Sequence, residues 1–257
     1  MNAAEDKTAP FELGAGDDAC LLLHGFTGTP WDVRPIGEAL ALAGCHVRAP
    51  RLPGHGLSPE AMLDVTWRDW ERAAEDSLAA LGPRARVFVA GLSMGALLAL
   101  ILAGKHPERI RGLALIAPAV HFLGPAMKLL RATRAVPWLE WVMPWVSKRK
   151  TDIDDPDVAA QAPIIPRFPS ARLRDLWTLQ DHARAALPRV KAPTLIAVAR
   201  HDHVVDPDAG LALATQLPAA ASVRTLQLER GFHVIPRDRD GPVLAKEVGA
   251  FVAGLRV

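Results

Sequence analysis

Two cysteines, Cys20 and Cys45, are all that the 257 residues contain. Both fall in or near apolar runs that read as buried strands, so core thiols are expected and not a disulfide. No Cys/His spacing of the zinc type occurs. His201-Asp202-His203 is too tight to act as a metal cluster, because adjacent side chains point in different directions. No metal or cofactor is therefore expected. Net charge is also small: 30 Lys and Arg against 28 Asp and Glu leave a formal +2. That balance gives no reason to expect a nucleic-acid partner, and Lys148-Arg149-Lys150 reads as a short solvated patch. Long apolar runs are missing too. The longest, Met94 to Ala103, is too short to span a bilayer, so no stable membrane insertion is expected. Met1 to Ala9 holds Glu5, Asp6 and Lys7, has no apolar core and does not read as a secretory signal. The simplest expectation is a soluble cytoplasmic protein. No internal repeat is visible.

Half of the residues are apolar, enough for a substantial core in one α/β domain. Strands and helices alternate along the first half. Strands read near Ala19 to His24, His46 to Ala49, Val87 to Ala90 and Ile110 to Ile116. Helices read over Val33 to Ala43, Trp67 to Leu81 and Met94 to Gly104. Such alternation predicts a mostly parallel sheet of about seven strands with helices on both faces. After Ala117-Pro118 the pattern breaks. The stretch to about Val190 is rich in proline, arginine and tryptophan and holds no core strand. It reads as an inserted helical cap (118–190) on a core built from 1–117 and 191–257. Phe11 to Leu13 is too short for a full leading hairpin.

The densest chemical signal is Gly91-Leu92-Ser93-Met94-Gly95. A β-branched apolar run precedes it and a helix-forming run follows, so a serine sits at the apex of a sharp strand-to-helix turn. Gly91 and Gly95 are needed where strand and helix pass too close for a Cβ. A serine hydroxyl is a poor nucleophile and needs a base, which in turn needs an orienting acid. Two later strands supply both at their carboxyl ends, where open parallel sheets carry their chemistry. Thr194 to Ala199 runs into Asp202. Ser222 to Leu228 runs into His233. Ser93, Asp202 and His233 are thus the candidate nucleophile, acid and base. Rivals remain: His201 and His203 beside the acid, and Asp206 and Asp208, which read as turn and helix-start residues.

These motifs resemble the α/β-hydrolase superfamily, and within it the small bacterial carboxylesterases and monoacylglycerol lipases. The resemblance also rests on Leu21-Leu22-Leu23-His24-Gly25-Phe26-Thr27-Gly28, Arg51-Leu52-Pro53-Gly54-His55-Gly56 and Gly231-Phe232-His233. It covers Pro10 to Leu255 and is weakest from Val120 to Pro188. The chain departs from the family where Ala199 replaces a usual glycine and where Phe232, not serine or glycine, precedes the histidine. The resemblance implies an α/β-hydrolase fold and an oxyanion hole made by the amides of Phe26 and Met94, with His24 as a loop brace. It implies cleavage of carboxylic esters through a serine acyl-enzyme, with a small-molecule ester as partner; an apolar pocket under the cap, gaining about 0.8 kcal/mol per buried methylene until it is full, adds an expected preference for short-to-medium acyl chains. Monoacylglycerol lipase, C–C hydrolase, thioesterase and perhydrolase are the alternatives. A non-catalytic ligand-binding homologue is the reading from a different class. Trp138, Trp141 and Trp145 recur at spacings of three and four, which predicts one face of a cap helix. At least one of these rings, with Met127 or Met143, is expected to line the substrate entrance.

Overall fold

The computed structural model describes residues 6–124, 127, 131, 142–148 and 150–256. The chain enters through a short strand β1 (Phe11–Leu13) and a buried strand β2 (Asp18–Leu23), then α1 (Pro30–Leu42) and β3 (Cys45–Ala49). α2 (Trp67–Ala79), β4 (Val87–Leu92), α3 (Met94–Lys105) and β5 (Ile110–Ile116) follow. Beyond them lie β6 (Trp145–Ser147), α4 (Pro156–Ala159), β7 (Arg167–Pro169) and α5 (Ala171–Ala186). The chain ends in β8 (Thr194–Ala199), α6 (Pro207–Ala212), β9 (Val223–Leu228) and α7 (Gly241–Gly254).

Among the described residues, seven strands form one sheet in the order β1-β3-β2-β4-β5-β8-β9. Only β1 runs antiparallel, on β3; the other pairings are parallel. The expected count and direction hold, and the leading strand is single because it pairs with β3 and makes no hairpin with β2. β2, β4, β5 and β8 are apolar along nearly their whole length because helices cover both faces. α1 packs with α7, while α2 and α5 pack with α3. α3 is buried from Met94 to Gly104, which explains why its sequence is apolar all round. Its approach to α5 is tight: a Cβ on Gly104 would stand 2.8 Å from that of Ala186. Cys20 and Cys45 are buried free thiols.

Within 118–190 the described residues form short strands as well as helices. β6 and β7 pair antiparallel as a separate two-stranded sheet. Trp145 is the first residue of β6, which corrects its expected place on a helix face. Pro144 explains the difference: it has no N–H to donate and pushes Met143 away from helical geometry. The inner face of α5 joins the main core through Leu176, Leu179 and Ala183.

Candidate active site

β4 ends in Leu92 and α3 begins at Met94, so Ser93 alone makes the turn. Its backbone pays for this with φ 57° and ψ −112°, a strained region for a residue with a side chain. Backbone hydrogen bonds to the neighbouring strand end and the segment after it help to hold it there. Ser93 N–H donates to the Ile116 carbonyl at 2.8 Å, and the Ser93 carbonyl accepts from Ala119 at 3.3 Å. The flanking glycines follow from distance. A Cβ on Gly91 would lie 2.1 Å from the Gly95 carbonyl oxygen, and one on Gly95 would lie 2.1 Å from that of Leu23.

The acid and base candidates meet across 31 residues of chain. His233 Nδ1 and Asp202 Oδ2 are 2.7 Å apart, both side chains nearly buried. The other carboxylate oxygen of Asp202 accepts the N–H groups of Val204 at 2.8 Å and Val205 at 2.9 Å. Burial alone would raise the Asp202 pKa. The adjacent His233 and these hydrogen bonds outweigh it and leave the carboxyl below its ordinary value. The rivals are occupied elsewhere. Asp206 caps α6 and pairs with His121 at 3.1 Å, Asp208 sits in the first turn of α6, and His201 is exposed. His203 pairs with Asp152 at 2.9 Å.

The loop after β2 lies against Ser93: a Cβ on Gly25 would stand 3.3 Å from that of the serine. Phe26 and Thr27 border the same cavity as Ser93 and His233. Met94 is the first residue of α3, where an N–H has no partner inside the helix. His24 is a brace, as its position in the loop implies. Its Nε2 accepts the Leu52 N–H at 3.0 Å and its Nδ1 bonds the Gly25 carbonyl at 2.9 Å. Under it, His55 is fully buried in edge contact with His24, Phe26 and Trp70.

The family model described as serine aminopeptidase, S33, matches residues 15–240. The chain belongs to this family of α/β-hydrolases. A thermostable monoacylglycerol lipase of Bacillus sp. (strain H-257) is 35% identical over 245 residues, which cover 95% of this chain and 94% of that protein. A carboxylesterase of Bacillus subtilis (strain 168) is 26% identical over 250 residues, 96% of each. Among solved structures, one from work on the metagenome-derived lipolytic enzymes LipS and LipT aligns with a TM-score of 0.86 at 31% identity. That alignment covers 96% of this chain and 97% of the other. The monoacylglycerol lipase of Paleococcus ferrophilus aligns over 96% and 98% with a TM-score of 0.78 at 18% identity, a likeness of fold.

In this α/β-hydrolase Ser93 and His233 open into a cavity of about 340 Å³, with Asp202 buried behind the histidine. Much of its wall is apolar: Phe122, Met127, Ile164, Phe168, Leu173 and Leu176 contribute. Met127 borders this cavity. Met143 is exposed, and Trp145 stacks under the Arg167 guanidinium at 4.5 Å; neither is among the lining residues. Trp138 and Trp141 lie outside the described residues. Lys148 corrects the reading of 148–150 as a solvated patch. Its Nζ donates to Thr27 Oγ1 at 2.6 Å, and both residues border the cavity. Burial lowers the Lys148 pKa while Asp32 and Asp152 pull it back up. Asp32 also borders the cavity and accepts the Thr29 N–H at 3.0 Å. Its carboxyl is raised by burial, against the pull of that bond and of Lys148. Asp32 had a sequence signal in Thr29-x-x-Asp32, a helix-start pattern. Lys148 and Asp152 had none, since their contacts are long-range.

Proposed function

We propose that this α/β-hydrolase cleaves carboxylic esters of short-to-medium acyl chains through an acyl-enzyme on Ser93. The chain is a carboxylic ester hydrolase. The observation that carries the serine mechanism is the 2.7 Å contact of His233 Nδ1 with Asp202 Oδ2, with His233 and Ser93 lining one cavity. With Nδ1 engaged, Nε2 is the ring nitrogen left to take the Ser93 proton. Ser93 Oγ then attacks the ester carbonyl. The amides of Phe26 and Met94 receive the negative charge on its oxygen, a contribution of about 3 kcal/mol for each donor. His233 returns the proton to the departing alcohol. Water, deprotonated by the same ring, attacks the acyl-enzyme, frees the acid and restores Ser93.

The apolar wall supports an acyl site, and a cavity of about 340 Å³ lies at the lower end of the range of about 300–1,000 Å³ for ligand pockets. Residues 118–190, whose described part supplies much of that wall, act as a cap over the strand ends. The second reading, hydrolysis of monoacylglycerols, is favoured by the 35% identity to a protein of that name. Among the described residues no helix is long and apolar enough to cross a membrane, and two buried free thiols suit the reducing cytoplasm.

Two measurements test the proposal. Ser93→Ala should lose kcat on the order of a millionfold and escape labelling by a serine-directed phosphonate. On aryl and glyceryl esters graded from acetyl to palmitoyl, kcat/KM should climb with each methylene, each worth about 0.8 kcal/mol at most, and then fall once the cavity is full. An active Ser93→Ala refutes the mechanism; a flat profile refutes the acyl preference. Trp145→Ala should leave that profile unchanged.

A further inference from the structure

Asp152 lies outside the three strand ends that carry Ser93, Asp202 and His233, and the reaction above does not use it. Its carboxylate joins two of those ends. Oδ2 accepts the backbone N–H of His233 at 3.1 Å and that of His203 at 3.2 Å. Oδ1 bonds the His203 ring at Nδ1, 2.9 Å away. The Asp152 carbonyl also accepts the Val234 N–H at 3.1 Å. One residue therefore fixes the amides on either side of the base candidate's peptide and the amide directly after the acid candidate. The side chain is itself held, with 18% of its surface exposed. Ile153, next in the chain, is anchored in the main core. The Asp154 N–H donates to the Asp238 carboxylate at 2.7 Å, which takes the Phe232 N–H at the same distance. The Phe232 ring packs edge-on to His203 at 4.3 Å, so the residue that departs from the family pattern closes this cluster.

We propose that Asp152 is a positioning residue that keeps the acid and base loops in register, so that the Asp202–His233 contact forms with the imidazole facing Ser93. The inference rests on the proposed serine mechanism. A backbone amide beside the base that loses its acceptor is free to move, and a misplacement of about 1 Å costs about a hundredfold in rate. The group required is an acceptor oxygen at a set position, so Asn should serve and Glu, longer by one methylene, should not.

The test is steady-state kinetics on an aryl ester, with the His233 Nδ1 proton followed by NMR. Asp152→Ala and Asp152→Glu should each lower kcat by about 10- to 100-fold with KM within about twofold, and should weaken the downfield proton resonance. Asp152→Asn should recover most of the rate and the resonance. Wild-type kcat in Asp152→Glu, a loss confined to KM, or an Asn variant as slow as Ala would each overturn the proposal. If Asp152→Ala does not fold, the Asn and Glu pair carries the test alone. Ser93→Ala separates the two ideas: if it stays active, the serine mechanism fails, and if it is inactive while every Asp152 variant is fully active, only the positioning role fails.

Discussion

Acid should unfold this protein through two histidines that never touch substrate. Burial, and repulsion from His55 when that ring is protonated, outweigh a bond to Gly25 and bring His24 from 6.5 down to about 3. Burial brings His55 to about 4, against its bond to Pro53. Both rings are neutral in the fold, and both take up a proton near 6.5 once the chain unfolds. The folded pKa lies below the unfolded one, so their contribution is complete above pH 6.5 and is lost as pH falls below it. Each ring then costs about 1.4 kcal/mol per pH unit, or about 2 kcal/mol between pH 6.5 and 5. Asp32 and Asp175, raised by burial, act with the opposite sign. A difference between two proteins removes their effect. His55→Leu suits this, because Trp70 Nε1 also holds the Pro53 carbonyl, at 3.1 Å. Urea unfolding followed by tryptophan fluorescence at pH 7.5, 6.5, 5.75 and 5 gives the stability of each. Whatever His55→Leu loses at neutral pH, its curve should be shallower by about 1.4 kcal/mol per unit below pH 6.5. Parallel curves would refute the reading of His55 as a buried neutral ring.

Three further outcomes follow from the geometry. Asp202→Asn should lower kcat about ten-thousandfold, while Asp206→Asn, which alters the cap of α6 and the pair with His121, should leave kcat alone and cost at most about 1 kcal/mol in urea. Lys148→Met and Thr27→Val should each reduce kcat/KM about tenfold, and the double variant no further, because both break one 2.6 Å bond. Ser93→Gly should be more stable than Ser93→Ala by about 1 kcal/mol, since glycine relaxes at a φ of 57° where alanine does not; equal urea midpoints would remove backbone strain from the account.

What could be read from the sequence was local. β5 and β8 begin and end at the expected residues, because buried parallel strands announce themselves as short apolar runs bounded by turn residues. β4 runs on to Leu92, two residues past its expected end, since glycine before the serine looks like a turn and is in fact paired with β5. The residues that escaped notice meet partners far along the chain. Lys148 reaches Thr27 across 121 positions, and Asp152 reaches His233 across 81. No periodicity marks such contacts, and a basic run is normally solvated. Trp145 failed for another reason: a spacing of three and four is necessary for a helix face but does not outweigh a proline just before the last ring.

Backbone strain locates the same site without any motif. Among the described residues three that are not glycine have positive φ: Thr27 at 58°, Ser93 at 57° and Ala117 at 41°. Each such conformation costs on the order of 1–3 kcal/mol and persists only where its surroundings over-determine it. The surroundings are visible in each case. Lys148 pins Thr27 from the cavity side, Ile116 and Ala119 pin Ser93, and the Ala197 carbonyl accepts the Ala117 N–H at 2.7 Å. All three lie at the carboxyl ends of β2, β4 and β5, neighbouring strands of one sheet. A fold stabilised by helices on both faces can tolerate several kcal/mol of local cost at its strand ends. Under the mechanism proposed above, such strain holds the Ser93 hydroxyl and the loop after β2 at a fixed separation before any substrate arrives, so that attack on an ester carbonyl would require little reorganisation.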